Sequence, residues 1–371
     1  MKRKILVISH DFVKKVNIKI YEELSKVKNL DILCLRPKKL IIKKKVFNKD
    51  YDLKTSKVKI NENKIIFEKL RYLYFKNIKK TINDFRPNYI VVHNDPISLQ
   101  VLILIFFFLF FKYSIFCVSN ENEINLGFKN FNLKKFFKSW ILFILNRLIK
   151  YKISAIFCIS KQIKNCYELL GYKNKTILMP IGFDPDIFKK RKKTKRIFTI
   201  AYFGRISKEK GIHILLQALE QVNFKFNFIL DTSHIEDTKY YKLLNLKLKK
   251  NFRIIKLSFI KCNHFEISKY MSKCDLIILP SIYNEQYGRV IQEAVACGSL
   301  VLGSNVGAIG EIIGDKDLLF KKNNYRDLYS KINKLKNDNK YYFHKQKKIY
   351  KRIIKQRSLS KQLSVMKRAL I

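Results

Sequence analysis

The stretch Asp275–Glu311, DLIILPSIYNEQYGRVIQEAVACGSLVLGSNVGAIGE, most restricts what this chain can fold into. DLIIL is a continuous apolar run, the pattern of a strand buried on both faces of a parallel sheet. Pro280 and Ser281 end it. A helix is predicted from about Gly288 to Cys297, with Val290, Ile291, Ala294, Val295 and Cys297 on one face. Gly298 suits its C-terminal cap, and Leu300–Leu302 begins the next strand. Strand, helix and strand in so few residues predict a sheet wound with helices.

The same alternation runs along the chain. Strands are predicted at Lys4–Ser9, Leu30–Leu35, Tyr89–His93, Tyr113–Val118, Ile153–Ile159 and Ile177–Pro180, and again at Ile197–Phe203, Phe226–Leu230, Arg253–Leu257 and Leu318–Phe320. Helices are predicted at Val16–Val27, Lys64–Phe85, Lys161–Leu170, Ile212–Val222 and Glu236–Leu248. Residues 36–60 are basic and carry no clear pattern. A chain of 371 residues has room for two domains of ordinary size. The expected division is 1–188, a basic linker at 189–196, a second domain at 197–357, and a last helix at 358–371 that crosses back to the first.

Ile97–Phe111 is almost wholly apolar but falls short of the ~20 residues that span a bilayer. A buried helix is expected there, with a membrane segment as the alternative. Asn132–Lys150 is amphipathic, basic and holds the sole tryptophan, Trp140. Such a helix either lies at an anionic membrane surface or packs as an ordinary helix with a basic outer face.

Lys and Arg number 77 against 29 Asp and Glu, a formal net charge of +48. Part of that excess reflects a chain rich in Lys, Ile, Asn, Phe and Tyr. The remainder favours an anionic membrane or substrate. Nucleic acid is not expected as a partner, because no nucleic-acid motif is present. The seven cysteines are scattered without a C-x-x-C, as expected of buried thiols in a reducing compartment, hence a cytoplasmic protein, for which the basic stretch Asn132–Lys150 leaves open a peripheral place on the inner face of the plasma membrane.

Chemistry concentrates at two strand ends. Glu285 and Glu293 lie eight residues apart, which on one straight helix is a rotation of about 80° and a rise of about 12 Å. With Glu285 in the loop and Glu293 on the helix, both can line one cleft. The N–H groups of Gly288, Arg289 and Val290 at the helix start suit a diphosphate, and the carboxylates suit sugar and ribose hydroxyls. Gly204-Arg205 ends the strand at 197–203, and Lys210-Gly211 follows five residues on. Gly204 allows close backbone approach to a ligand; Arg205 and Lys210 are suitable cations for a diphosphate.

These motifs resemble those of the retaining glycosyltransferases of family 4. The carrying residues are Glu285-Gln286-Tyr287-Gly288, Glu293-Ala294 before Gly298, Ser304…Gly307…Glu311, and Gly204-Arg205 with Lys210-Gly211. The resemblance implies two doubly wound Rossmann-like α/β domains facing across a cleft, the GT-B architecture. It implies transfer of a sugar from a nucleotide-diphosphate donor, UDP- or GDP-linked, to a glycan or lipid-linked acceptor in surface polysaccharide or lipopolysaccharide synthesis. It implies no metal and no cofactor. Arg205 and Lys210 would stabilise the leaving diphosphate. Glu285 would hold the sugar and Glu293 the ribose, with Gly204, Tyr287, Gly288, Arg289 and Val290 completing the donor site, and residues 259–264 would meet the base. Alternatives are an epimerase on the same architecture and a non-catalytic basic binding protein.

The first domain departs from the family. The loop Ser9–Asn17 lacks the usual glycine pair, and Asn94-Asp95-Pro96 after His93 stands where relatives show His-Glu-Pro. His93, Asn94 and Asp95 are the acceptor-side candidates. Ala308 replaces the second glycine before Glu311.

Overall fold

The computed structural model describes residues 2–42, 45–47, 49, 51, 56–66, 72–119, 144–192, 197–250 and 253–371. Most of Asn132–Lys150, Trp140 included, and residues 193–196 of the expected linker lie outside them. The described residues form two units, Met1–Pro180 with Gln362–Ile371, and Ile181–Lys361.

In the first unit the strands are β1 (Arg3–Ile8), β2 (Leu30–Pro37), β5 (Lys59–Asn63), β8 (Tyr89–Val92), β9 (Ser114–Ser119), β10 (Ile153–Cys158) and β11 (Thr176–Leu178). They form one parallel sheet in the order β11-β10-β9-β8-β1-β2-β5. The central strands are buried on both faces, with Ile5, Leu6, Val7, Ile90 and Val91 wholly inaccessible. Helices α1 (Lys15–Leu24), α2 (Ile78–Phe85), α3 (Leu99–Phe107) and α4 (Lys161–Tyr167) connect them. Ser160 caps α4 by accepting from the Ile163 amide, as its position before the helix predicts.

Three expectations need correction in this unit. Residues 36–60 hold strands β3 (Leu40–Ile42) and β4 (Lys45–Phe47), which pair antiparallel, and the start of β5. The helix expected over Lys64–Phe85 is short. β6 (Ile65–Ile66) and β7 (Tyr74–Phe75) pair antiparallel before α2, as β-branched and aromatic pairs favour. The apolar run ending at Phe111 is not a buried helix throughout. Helix α3 buries Val101 and Leu104 but leaves Phe106 exposed, as are Leu109 and Phe110 in the turns that follow. A helix apolar all round has no polar side to offer water, so its outer side is apolar too. No described helix is long and apolar enough to cross a membrane.

The second unit contains β12 (Thr199–Tyr202), α5 (Ile212–Gln221), β13 (Phe226–Asp231), α6 (Thr238–Lys250), β14 (Ile254–Ile260), α7 (Ile267–Met271), β15 (Leu276–Leu279), α8 (Arg289–Ala296), β16 (Leu300–Ser304), α9 (Ile309–Ile313) and β17 (Leu319–Phe320). The order β14-β13-β12-β15-β16-β17 is parallel throughout. Numbered within the unit, this is the doubly wound order 3-2-1-4-5-6, whose direction of winding reverses between β12 and β15. Helices α10 (Tyr325–Asn337), α11 (Asn339–Arg357) and α12 (Leu359–Leu370) close the chain. Residues of α12 from Gln362 belong to the first unit, where Arg3 donates to the carbonyls of Leu370 and Ile371.

The chain divides after Pro180, earlier than the expected 188. The Ile181 carbonyl accepts from Tyr287 Oη at 2.6 Å and Gln292 Nε2 at 3.0 Å. Phe183 exchanges backbone hydrogen bonds with Arg357 and Leu359. Gly182 sits so close that an added Cβ would stand 2.5 Å from Leu359 Cα. These bonds hold residues 181–183 in the second unit.

Candidate active site

Ligands of doubly wound sheets bind beyond the carboxyl ends of the strands, where the winding reverses. In the second unit that point is flanked by the loops after β12 and β15, which carry Arg205 and Lys210 on one side and Glu285 on the other. The two loops are locked together through backbone. Ile282 N donates to Glu209 O at 2.9 Å, and a Cβ on Gly211, at φ +67°, would stand 1.9 Å from Pro280 O. Only glycine fits there.

Lys210 Nζ donates to Glu285 Oε1 at 2.6 Å and to Tyr283 Oη at 2.8 Å. Ser281 Oγ donates to Glu285 Oε1 at 2.6 Å, and Tyr283 Oη to Glu285 Oε2 at 2.6 Å. Burial alone would raise the Glu285 carboxyl; Lys210, Ser281 and Tyr283 outweigh it and hold the group below its ordinary value. The Glu285 backbone is fixed as well: its carbonyl accepts from Ala308 N at 2.9 Å, and a Cβ on Gly307 would meet that oxygen at 2.3 Å. Ala308 therefore stands where only its amide is needed, while Gly307 is the position that cannot carry a side chain.

Arg205 leaves its strand behind Gly204, whose φ of +141° favours glycine. Its guanidinium grips both oxygens of Glu236, at 2.9 and 2.8 Å, and reaches Glu209 at 3.1 Å. The side chain remains about half exposed.

Helix α8 begins at Gly288, whose φ is +83° and which offers no side-chain cap. The first amide hydrogens of the helix are therefore left without a side-chain acceptor from that position. Its inner face, Ile291, Ala294 and Val295, is buried, and full burial of a residue such as Ile291 is worth about 1.5–3 kcal/mol. Glu293 lies on the second turn and is 6% exposed. Burial pushes its carboxyl up to about 7, opposed only weakly by Arg289 four residues before it. The two glutamates thus differ in state: Glu285 is ion-paired, and Glu293 is buried without a salt bridge or side-chain hydrogen bond among the described residues.

Tyr287, expected in the donor site, makes its contacts inside the second unit. It is 4% exposed and holds Ile181, Gln292 and Arg357 through its hydroxyl. Arg357 in turn pairs with Glu311 at 3.2 Å. Residues 259–264, the end of β14 and the loop after it, are tied to the loop after β13 by the paired bonds of Cys262 and Ser233.

In the first unit the winding reverses between β1 and β8, and His93, Asn94 and Asp95 follow β8. His93 Nε2 meets Tyr21 Oη at 2.5 Å and packs edge-on to Phe12. Asp95 is buried and accepts from Ser119 and Tyr167. Asn94 Oδ1 accepts from the Asp95 amide. The glycine-free loop after β1 folds into a turn that Ser9 caps at the Asp11 amide.

Ser281, Tyr283, Glu209 and Glu236 escaped the sequence reading. Ser281, Tyr283 and Glu285 alternate, the spacing that puts side chains of an extended segment on one side, so that signal was present. Glu236 is distant in sequence and carried none.

Residues 183–356 match the family described as glycosyl transferases group 1. That match falls within the second unit and takes in most of it. Over 186 residues the chain is 33% identical to the uncharacterized glycosyltransferase MJ1178 of Methanocaldococcus jannaschii, covering 49% of this chain and 50% of that one. It is 26% identical over 228 residues to the capsular polysaccharide biosynthesis glycosyltransferase CapM of Staphylococcus aureus, covering 55% and 58%. These matches thus span about half the length of the curated relatives. The structure of Anabaena Alr3699/HepE in complex with UDP superposes with a TM-score of 0.74 at 18% identity, covering 100% of this chain and 99% of that one. At that identity the likeness speaks for the fold alone, the GT-B fold.

Proposed function

We propose that the protein transfers a sugar, with retention at the anomeric carbon and without a metal, from a nucleoside-diphosphate donor to a glycan or lipid-linked acceptor in cell-surface polysaccharide or lipopolysaccharide synthesis. The observation that carries this reading is the Lys210–Glu285 pair at 2.6 Å, held at the reversal point of the group 1 domain. Breaking the bond between sugar and diphosphate leaves two phosphates with growing negative charge, and fixed cations aimed at that charge are the largest help a site can give. Lys210 and Arg205 supply them, and the α8 amides at Gly288, Arg289 and Val290 add to them. Glu285 accepts from the hydroxyls of the transferred sugar, its second oxygen positioned by Tyr283. Glu293 accepts from the ribose. The Glu236 grip on Arg205 keeps that guanidinium ordered until the diphosphate competes for it. His93 and Asn94, beyond β8, are the acceptor-side groups; Asp95 anchors that loop through Ser119 and Tyr167.

The UDP of the Anabaena structure and the capsular role of CapM support a nucleotide-sugar donor and a polysaccharide product. The test is thermal stabilisation by the diphosphates of uridine, guanosine, adenosine and cytidine and by their sugar conjugates, followed by turnover with the donor that stabilises. One nucleotide series is expected to stabilise, with the effect lost in Glu293→Ala. Arg205→Ala, which alters an exposed side chain, is expected to fold and to lose about 100- to 1,000-fold in turnover. Unchanged turnover in Arg205→Ala overturns its role. Conversion of the nucleotide sugar to its epimer without acceptor overturns the transferase reading.

A further inference from the structure

Strands β9, β10 and β11 are parallel neighbours, so the three connections that lead into them arrive at one edge of the first unit's sheet. Each connection brings large exposed apolar side chains. Before β9 these are Phe106, Leu109 and Phe110, exposed by 58%, 69% and 70%. Before β10 a helix over 144–149 and the turn after it present Leu148 and Tyr151, and before β11 Leu169 is exposed.

Each connection also brings cations. Lys112 follows the apolar run before β9, Lys150 and Lys152 precede β10, and Lys173 and Lys175 precede β11. Direct contacts tie the three together. Lys152 Nζ sits 4.8 Å above the Phe108 ring. Lys175 Nζ donates to the carbonyls of Lys150 and Ile153 at 2.7 and 2.6 Å. The pKa of Lys175 is lowered, first by burial and then by the charge of Lys150. Glu168, in the last of these connections, is engaged by Lys164 at 2.9 Å and by Thr176.

We propose that this sheet edge is a docking surface for an anionic lipid bilayer. Leucine and phenylalanine side chains enter the boundary between headgroups and acyl chains, and lysines around them meet lipid phosphates. A second copy of this chain fits poorly, because a two-fold contact would set like charges against each other. Nucleic acid would leave Leu109, Leu148 and Leu169 unused, since bases stack on aromatic and not on aliphatic side chains. The surface lies at the opposite end of the strands from His93–Asp95, so docking there leaves that loop uncovered. The inference does not rest on the proposed transferase activity, nor on residues 132–143.

The test is sedimentation of the full chain with phosphatidylcholine vesicles, with and without phosphatidylserine, at low and high salt. Two triple variants lower the net charge equally: Lys112→Glu with Lys150→Glu and Lys152→Glu at this edge, and Lys242→Glu with Lys247→Glu and Lys250→Glu on α6. A third variant is Leu109→Asp with Phe110→Asp. Binding is expected to need phosphatidylserine and to weaken with salt. Each lysine lost from the edge is expected to weaken it about fivefold, the effect of one basic residue at an anionic surface. The first and third variants lose binding while keeping the wild-type circular dichroism and melting temperature, and the α6 variant keeps most of it. Equal losses from both triple variants would reduce the effect to net charge and overturn the proposal. So would vesicle binding that survives at this edge, a dimer that the third variant dissociates, or a loss confined to heparin or DNA binding.

Discussion

Glu293 weakens the fold that holds it, and Lys210 supports that fold. A carboxyl at about 7 in the folded protein against an ordinary 4.5 holds its proton more tightly folded than unfolded. Stability is therefore highest below about pH 4.5, falls as pH rises through 4.5 to 7, and is level above it, a loss of at most about 3 kcal/mol. Glu293→Gln is expected to raise the melting temperature at pH 8 and leave it unchanged near pH 4. It should also remove the gain in nucleotide affinity expected as pH rises through 7, because only the ionised group accepts from both ribose hydroxyls. Thermal melts across pH, with and without nucleotide, check both. Lys210 is the opposite case, since its removal strands a buried carboxylate. Lys210→Ala is expected to cost about 3–5 kcal/mol of stability as well as turnover. Denaturant melts of Lys210→Ala and of Lys210→Ala with Glu285→Gln separate the two effects: the second variant should recover most of the stability and none of the turnover.

Among the elements, the loops after β12, β15 and β16 matter more than the strands they leave. Gly211 and Gly307 let three backbones approach closely enough for the Glu209–Ile282 and Glu285–Ala308 hydrogen bonds. Gly307→Ala would push Glu285 away from Lys210. It is expected to abolish selective nucleotide-sugar stabilisation while moving the melting temperature by an amount typical of about 1–3 kcal/mol. A calorimetric titration that finds wild-type donor affinity in Gly307→Ala would refute that positioning role. Elements were legible in the sequence where one pattern ruled. DLIIL is a strand between residues 276 and 279, and the helix after Gly288 runs from Arg289 to Ala296. Reading failed at Lys64–Phe85, where helix-like spacing of apolar residues competed with β-branched and aromatic pairs that hydrogen bonds across β6 and β7 settle.

For the whole molecule the governing quantity is the net charge of +48. With 77 Lys and Arg against 29 Asp and Glu, the cations outnumber the carboxylates that could neutralise them, so the folded chain repels itself, and screening relieves this over a length of about 10 Å at 0.1 M salt. The melting temperature is expected to rise from low salt to about physiological ionic strength, where the Debye length is about 8 Å. A flat or falling curve would mean that ion pairs outweigh the repulsion. Fold class, two parallel α/β domains, and the motif residues Arg205, Lys210, Glu285 and Glu293 could be read directly from the sequence. They depend on local spacing, on glycine at special backbone positions and on runs of buried apolar residues, all of which are written in neighbouring residues. Tertiary structure alone decided which charges pair. Glu236 takes Arg205 from 31 positions away in the chain, Tyr287 reaches the Ile181 carbonyl, and the division of the chain falls at Pro180. Each depends on which strands lie side by side, and that order is a property of the packed sheet, which no local stretch of residues contains.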